Sequence, residues 1–125
     1  MRRGSVNSTA LNRGKLVRDR IPEIIEASGG EAVVRMLNPR EFENALRKKL
    51  VEEVKELSTA SGEQIAGEVA DVLEVIDAFC ALKRVTTSAI RDVRKTKAKE
   101  RGVFERRVFL IETRRGGEPE QSTSG

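Results

Sequence analysis

From Phe42 to Leu82 the apolar positions recur at a helical spacing rather than a two-residue one. Stepped at about 100° per residue, Phe42, Leu46, Leu50, Val54 and Leu57 share one arc of a helix over 42–57. Ile65, Val69, Val72, Val75, Ile76 and Phe79 form a second arc on the segment that follows. Acids interrupt both arcs. Glu53 falls near the middle of the first and Glu56 at its edge; Glu68 lies among the second set and Asp71 at its flank. Each helix therefore carries two carboxylates at i, i+3 on or beside the side meant for burial.

The punctuation around these arcs sets the expected elements. Asn38-Pro39-Arg40-Glu41 combines an N-cap, a first-turn proline and a capping-box acid, so a helix should run from there to Leu57 or Ser58. Ser61-Gly62-Glu63-Gln64 repeats the capping-box pattern and opens a helix to about Arg84. The Ser-Thr-Ala-Ser loop between them is short enough to make the two helices antiparallel neighbours. Upstream, Pro22 suits the first turn of a short helix that passes Ile24 and Ile25 to Ser28 and is closed by Gly29-Gly30. Downstream, Thr86 or Thr87 caps a helix over about 88–100, with Gly102 as its left-handed stop. The short, β-branched runs 32–37 and 107–113 predict two strands that pair as a small ribbon on the helical body. The expected fold is all-α, an antiparallel helix bundle with a small two-stranded β ribbon, as one domain over 15–113. Residues 1–14 are expected to be a disordered leader and 114–125 a disordered tail.

Composition narrows the chemistry. The chain has 125 residues, 35% charged and 38% hydrophobic, enough for one domain with a modest core. No apolar run reaches membrane-spanning length, and Met1-Arg2-Arg3-Gly4-Ser5 lacks the apolar core of a signal peptide, so a cytoplasmic location is expected. There is no histidine, which excludes Ser-His and Cys-His catalysis and histidine-ligated metals. The single Cys80, at the apolar border of its helix, is expected to be a structural thiol. A net charge of +4 suits phosphate-bearing partners but is too small to argue for nucleic acid, and with no Trp or Tyr there is little for bases to stack on.

What remains is carboxylates, lysines, arginines and a bound ion. An unpaired buried carboxylate costs several kcal/mol, so such a group is protonated, ion-paired or metal-bound. Two acid pairs facing one another across a helix hairpin suit a hard divalent cation, Mg²⁺ or Mn²⁺, which takes several oxygen ligands. The alternative is that Lys49, one turn before Glu53, pairs with it and that the flanking acids are solvated. The basic helix carrying Arg91, Arg94, Lys95, Lys97, Lys99 and Arg101 is either a solvated face or a phosphate-holding edge. The charged Lys15–Arg20 stretch poses the same choice, between a polyanion contact and a solvated lead-in with an Arg18–Asp19 contact.

The run Glu52-Glu53-Val-Lys-Glu56, followed by Glu68-Val-Ala-Asp71, resembles the EExxE…ExxD signature of the all-α nucleotide pyrophosphohydrolases, which include the MazG-like proteins, the dimeric dUTPases and the phosphoribosyl-ATP pyrophosphohydrolases. Lys15-Leu-Val-Arg-Asp-Arg-Ile-Pro-Glu-Ile-Ile resembles the opening motif of a small MazG-like subgroup, and Lys97-Ala-Lys-Glu-Arg101-Gly102-Val-Phe104 its closing K…RGxF motif. The likeness covers roughly 15 to 110. It departs at Val103, where a second glycine is usual, and at Arg20, where lysine is usual.

The resemblance implies Mg²⁺-dependent cleavage between the α and β phosphates of a nucleoside triphosphate, giving the monophosphate and pyrophosphate. Removal of non-standard or surplus nucleotides is one role this would serve. Carried over by position, Glu53, Glu56, Glu68 and Asp71 are the metal ligands; Glu52, turned off the arc, either supports the ligands from behind or helps orient water, and Glu52 and Glu53 are the expected catalytic residues. Lys97 and Arg101, then Arg18 and Lys15, would hold substrate phosphates. Two alternatives stand: a phosphoribosyl-ATP pyrophosphohydrolase, or a non-catalytic helical dimerisation or regulatory module in which the acids pair with Lys49 and the basic helix. Val75, Leu82 and Leu110 are read as apolar edges that one chain leaves uncovered, which predicts a homodimer or higher homo-oligomer.

Overall fold

Asn38 starts the longest helix. In the computed structural model, which describes residues 14–115, the Asn38 side chain accepts the Glu41 N–H at 2.9 Å and the Glu41 carboxylate accepts the Asn38 N–H at 3.0 Å. This reciprocal box satisfies two donors that the first turn would otherwise orphan. Arg35 adds a 2.6 Å contact to the other Glu41 oxygen. The backbone bond from Asn38, then Arg35, holds the Glu41 carboxyl below its usual pKa.

Among the described residues four helices follow in chain order: α1 (Ile21–Ala27), α2 (Pro39–Thr59), α3 (Gln64–Lys83) and α4 (Thr87–Arg101). Each matches an expected helix to within a few residues. α1 closes as the glycine pair predicts. Gly29, at φ +96°, donates to Glu26 O, and Gly30 donates to Ile25 O. That pairing is a Schellman stop, which needs a residue free to turn left-handed. α3 ends in the same motif with Arg84 at φ 60°, a left-handed position filled by a residue other than glycine. At Gly102 the φ is +82°, and its N–H returns to Ala98 O, closing α4. The second capping box forms by half. The Gln64 side chain accepts from the Ser61 N–H at 3.4 Å, while Gly62 turns left-handed and the helix starts only at Gln64.

The described residues fall into two units, 14–86 and 87–115. The first is built on the α2–α3 hairpin. Lys83 Nζ reaches Glu43 at 3.1 Å near one end, while the short 60–63 link closes the other, so the two helices run antiparallel. Arg47 holds Glu43 at 2.8 Å and lays its guanidinium 4.8 Å from the centroid of Phe79. Leu46 and Val75 are buried in this seam, and among the described residues Ala32 is the other buried apolar side chain. Val54, Ile65 and Val69 stay exposed although the helical arcs include them. The core is thus narrower than the arcs predict.

The β ribbon is not formed; the described residues contain no strand. A strand exists through its ladder, and two short segments alone are marginal. The 32–37 segment has no regular secondary structure; it buries Ala32 and bonds Arg35 to Glu41. In 107–113, Arg107 adopts φ 57°, which breaks an extended run, and Val108, Phe109, Leu110 and Ile111 are all exposed. Val75, read as an uncovered edge, is instead part of the core, and Leu82 is half-buried. The expected leader and tail lie outside the described residues, apart from Gly14 and Arg114-Arg115.

Candidate metal centre

The i, i+3 spacing within each helix and the antiparallel pairing of α2 with α3 bring three acids to one point. One carboxylate oxygen each from Glu53, Glu68 and Asp71 lies within 4.8 Å of the other two. Oxygens about 2.1–2.4 Å from a common centre stand roughly 3–5 Å apart, so the spacing fits three donors around one hard cation. The Glu53 side chain is 14% exposed and that of Asp71 42%.

Together with Glu52 and Glu56 these acids line an open cleft of about 440 Å³, which Lys15, Lys49 and Lys55 also face. Five carboxylates thus meet three ammonium groups. The imbalance falls on Glu68: burial pushes its pKa up, and the charges of Glu56, Asp71 and Glu53 push it further in the same direction. Glu56 acts on Glu68 from the wall of the cleft, but it is exposed and stands outside the convergent trio. Of the four expected ligands, three converge.

Cations already engage the trio. Lys49 Nζ stands 3.4 Å from Glu53 and 3.6 Å from Glu52, the pairing weighed against metal in the sequence. Arg18 reaches Asp71 Oδ1 at 2.7 Å. The second contact has no sequence signal, because its partners are 53 residues apart and no periodicity links them. It takes the place of the expected Arg18–Asp19 contact. Lys55, at i+2 from Glu53, also lines the cleft, and its sequence position carries no signal for that. Lys97 and Arg101 sit on the exposed surface of α4, a helix of the other unit. Cys80 is a free, half-buried thiol. No helix among the described residues is long and apolar enough to cross a membrane.

No family model matches the chain, and no solved structure matches it. It is similar to an uncharacterized protein of Mycolicibacterium smegmatis, 52% identical over 54 residues, an alignment that covers 43% of this chain and 55% of the relative. The chain thus spans about half the length of the curated relative it matches.

Proposed function

We propose that this protein is a divalent-metal-dependent nucleoside triphosphate pyrophosphohydrolase, cleaving between the α and β phosphates to give the monophosphate and pyrophosphate. The observation that carries the reading is the convergence of Glu53, Glu68 and Asp71 within 4.8 Å across the helix seam. The EExxE…ExxD signature supplies the reaction class by resemblance. When bound, Mg²⁺ or Mn²⁺ supplies Lewis acidity that offsets phosphate charge and acidifies water, the task a histidine would otherwise share.

The chain's own residues do the remainder. Glu53, Glu68 and Asp71 hold the cation, with Glu56 one helical turn from Glu53 as a further acid of the same wall. Glu52 lies at the cleft edge, turned off the apolar arc, and can orient the attacking water. Lys15 and Lys55 face the cleft and neutralise the departing pyrophosphate, a reaction that asks mainly for charge placement and in-line geometry. Lys97 and Arg101 serve phosphates on the strength of the closing motif. A homodimer, the bundle-type fold and the removal of surplus or non-standard nucleotides belong to the same proposal. Exposed apolar side chains of α2 and α3, among them Val51, Ile65 and Leu73, favour the dimer.

The test is pyrophosphate release from a panel of nucleoside triphosphates with and without Mg²⁺. Glu53→Gln and Asp71→Asn are expected to abolish turnover while leaving helix content unchanged. Full activity in both variants rejects this ligand set. A second reading is a non-catalytic helical module, favoured by the Lys49–Glu53 and Arg18–Asp71 ion pairs. It predicts neither pyrophosphate release nor Mn²⁺ uptake.

A further inference from the structure

Arg18 donates to Asp71 Oδ1 at 2.7 Å, from a segment ahead of α1 to the middle of α3, and its target is one of the three convergent acids. An oxygen already held by a guanidinium is a poorer donor to a cation, because one of its lone pairs is engaged and the Arg18 charge repels the ion. The Arg18 side chain is 55% exposed, so it can leave Asp71 for water or for another anion without rearranging the core. Lys49 differs. It is only 22% exposed, has longer contacts of 3.4 and 3.6 Å, and is anchored on the same helix as its partners.

From this we infer that Arg18 is a tethered counter-ion of the centre: it holds Asp71 while the site lacks a divalent cation, yields it when the cation binds, and then turns its guanidinium to the substrate phosphates. The inference rests on the proposed metal site and adds a coupling between metal loading and phosphate capture. A planar, always-charged fork suits both partners, because a carboxylate and a phosphate present the same paired oxygens to it. Reciprocity follows from linkage. Whatever draws Arg18 away from Asp71 raises metal affinity, and metal binding in turn raises the affinity for the anion.

The experiment is calorimetric titration of the full chain with Mn²⁺ alone, in wild type, Arg18→Gln and Arg18→Lys, followed by KM and kcat for the best nucleotide of the panel. An exposed carboxylate pair is a weak competitor, so Arg18→Gln should tighten Mn²⁺ by about two- to fivefold. Its KM should rise several-fold with kcat changed less. Arg18→Lys keeps the charge without the fork and should fall between the two proteins in both quantities, which keeps the test alive if the glutamine variant loses helix content. A merely structural role for Arg18 would weaken Mn²⁺ binding and lower kcat together. Mn²⁺ uptake by wild type with unchanged or weaker affinity in the variants overturns the role of Arg18 alone, and an unchanged KM overturns its contact with phosphate. Absence of Mn²⁺ uptake by wild type overturns the metal centre itself.

Discussion

Replacing Leu46 and Val54 by alanine, one at a time, measures how much of the apolar arc on α2 is buried by α3. The Leu46 side chain is 2% exposed and loses three carbons as alanine. At about 0.8 kcal/mol per buried methylene that removes about 2.4 kcal/mol, and incomplete collapse of the cavity carries the cost further into the 2–5 kcal/mol range for such changes. Val54 loses two carbons from a residue 46% exposed, so about half of their transfer energy, roughly 0.9 kcal/mol, is at stake. Alanine is also the better helix former, which returns a few tenths of that. Leu46→Ala should therefore cost at least three times as much as Val54→Ala in urea unfolding followed by helical circular dichroism, at equal m-values. Equal costs would refute the reasoning, because Val54 would then be covered in solution by something other than its own hairpin. If the Val54→Ala cost grew with protein concentration, that cover would be a second copy of the chain.

Two further perturbations address the cleft and the frame that holds it. Glu68 has its pKa raised above the ordinary 4.5, so in the absence of metal its charge opposes the fold. Its contribution is most favourable at acid pH and is lost as pH rises through the raised value. Glu68→Gln should accordingly raise the melting temperature of the metal-free protein at neutral pH, with the gain vanishing in acid. A gain that persists unchanged at acid pH would show that its origin is not ionisation. Asn38→Ala removes one half of the capping box and should cost about 1 kcal/mol, measured by chemical unfolding; a neutral result would mean that Arg35 and Glu41 alone hold the start of α2.

The long helices and their stops were legible because each rests on a local signal. Asn38 with Glu41, Gly29 and Gly102 all act over three or four residues of chain, and all appear in the structure at those positions. The convergence of Glu53 with Glu68 and Asp71 was legible for a related reason: helical spacing within each arc plus a short loop leaves one antiparallel register. Arg84 shows the limit of such signals. It takes the left-handed stop that glycine usually fills, so nothing in its residue type marks the end of α3. The strand expectation failed because β-branched composition describes a residue's surroundings, whereas a strand requires a partner. Glu56 lines the same cleft yet stands outside the trio, a difference of position along one wall that helical periodicity does not resolve.

The charge arithmetic of the cleft links these observations. Five acids face three lysines, and Arg18 adds one further cation at Asp71. A residual negative charge concentrated on three oxygens can be relieved in three ways: by a proton on Glu68, by a closer approach of a tethered cation, or by a divalent ion from solution. Burial and the neighbouring acids push the Glu68 pKa upward, in the direction of the first, and the 2.7 Å Arg18 contact is an instance of the second. Both are reversible near the surface, and each gives way to a stronger cation at low cost, because the groups involved remain solvated. The third relief acts on all three oxygens at once, whereas a proton acts on one carboxylate and Arg18 on one oxygen. The cleft therefore gains most from a small, doubly charged ion, and Glu68→Gln, which removes one negative charge, should weaken Mn²⁺ binding even as it stabilises the metal-free fold. A Glu68→Gln variant that raised both stability and Mn²⁺ affinity would refute the proposed metal centre, since the charge that costs stability would then play no part in holding the ion.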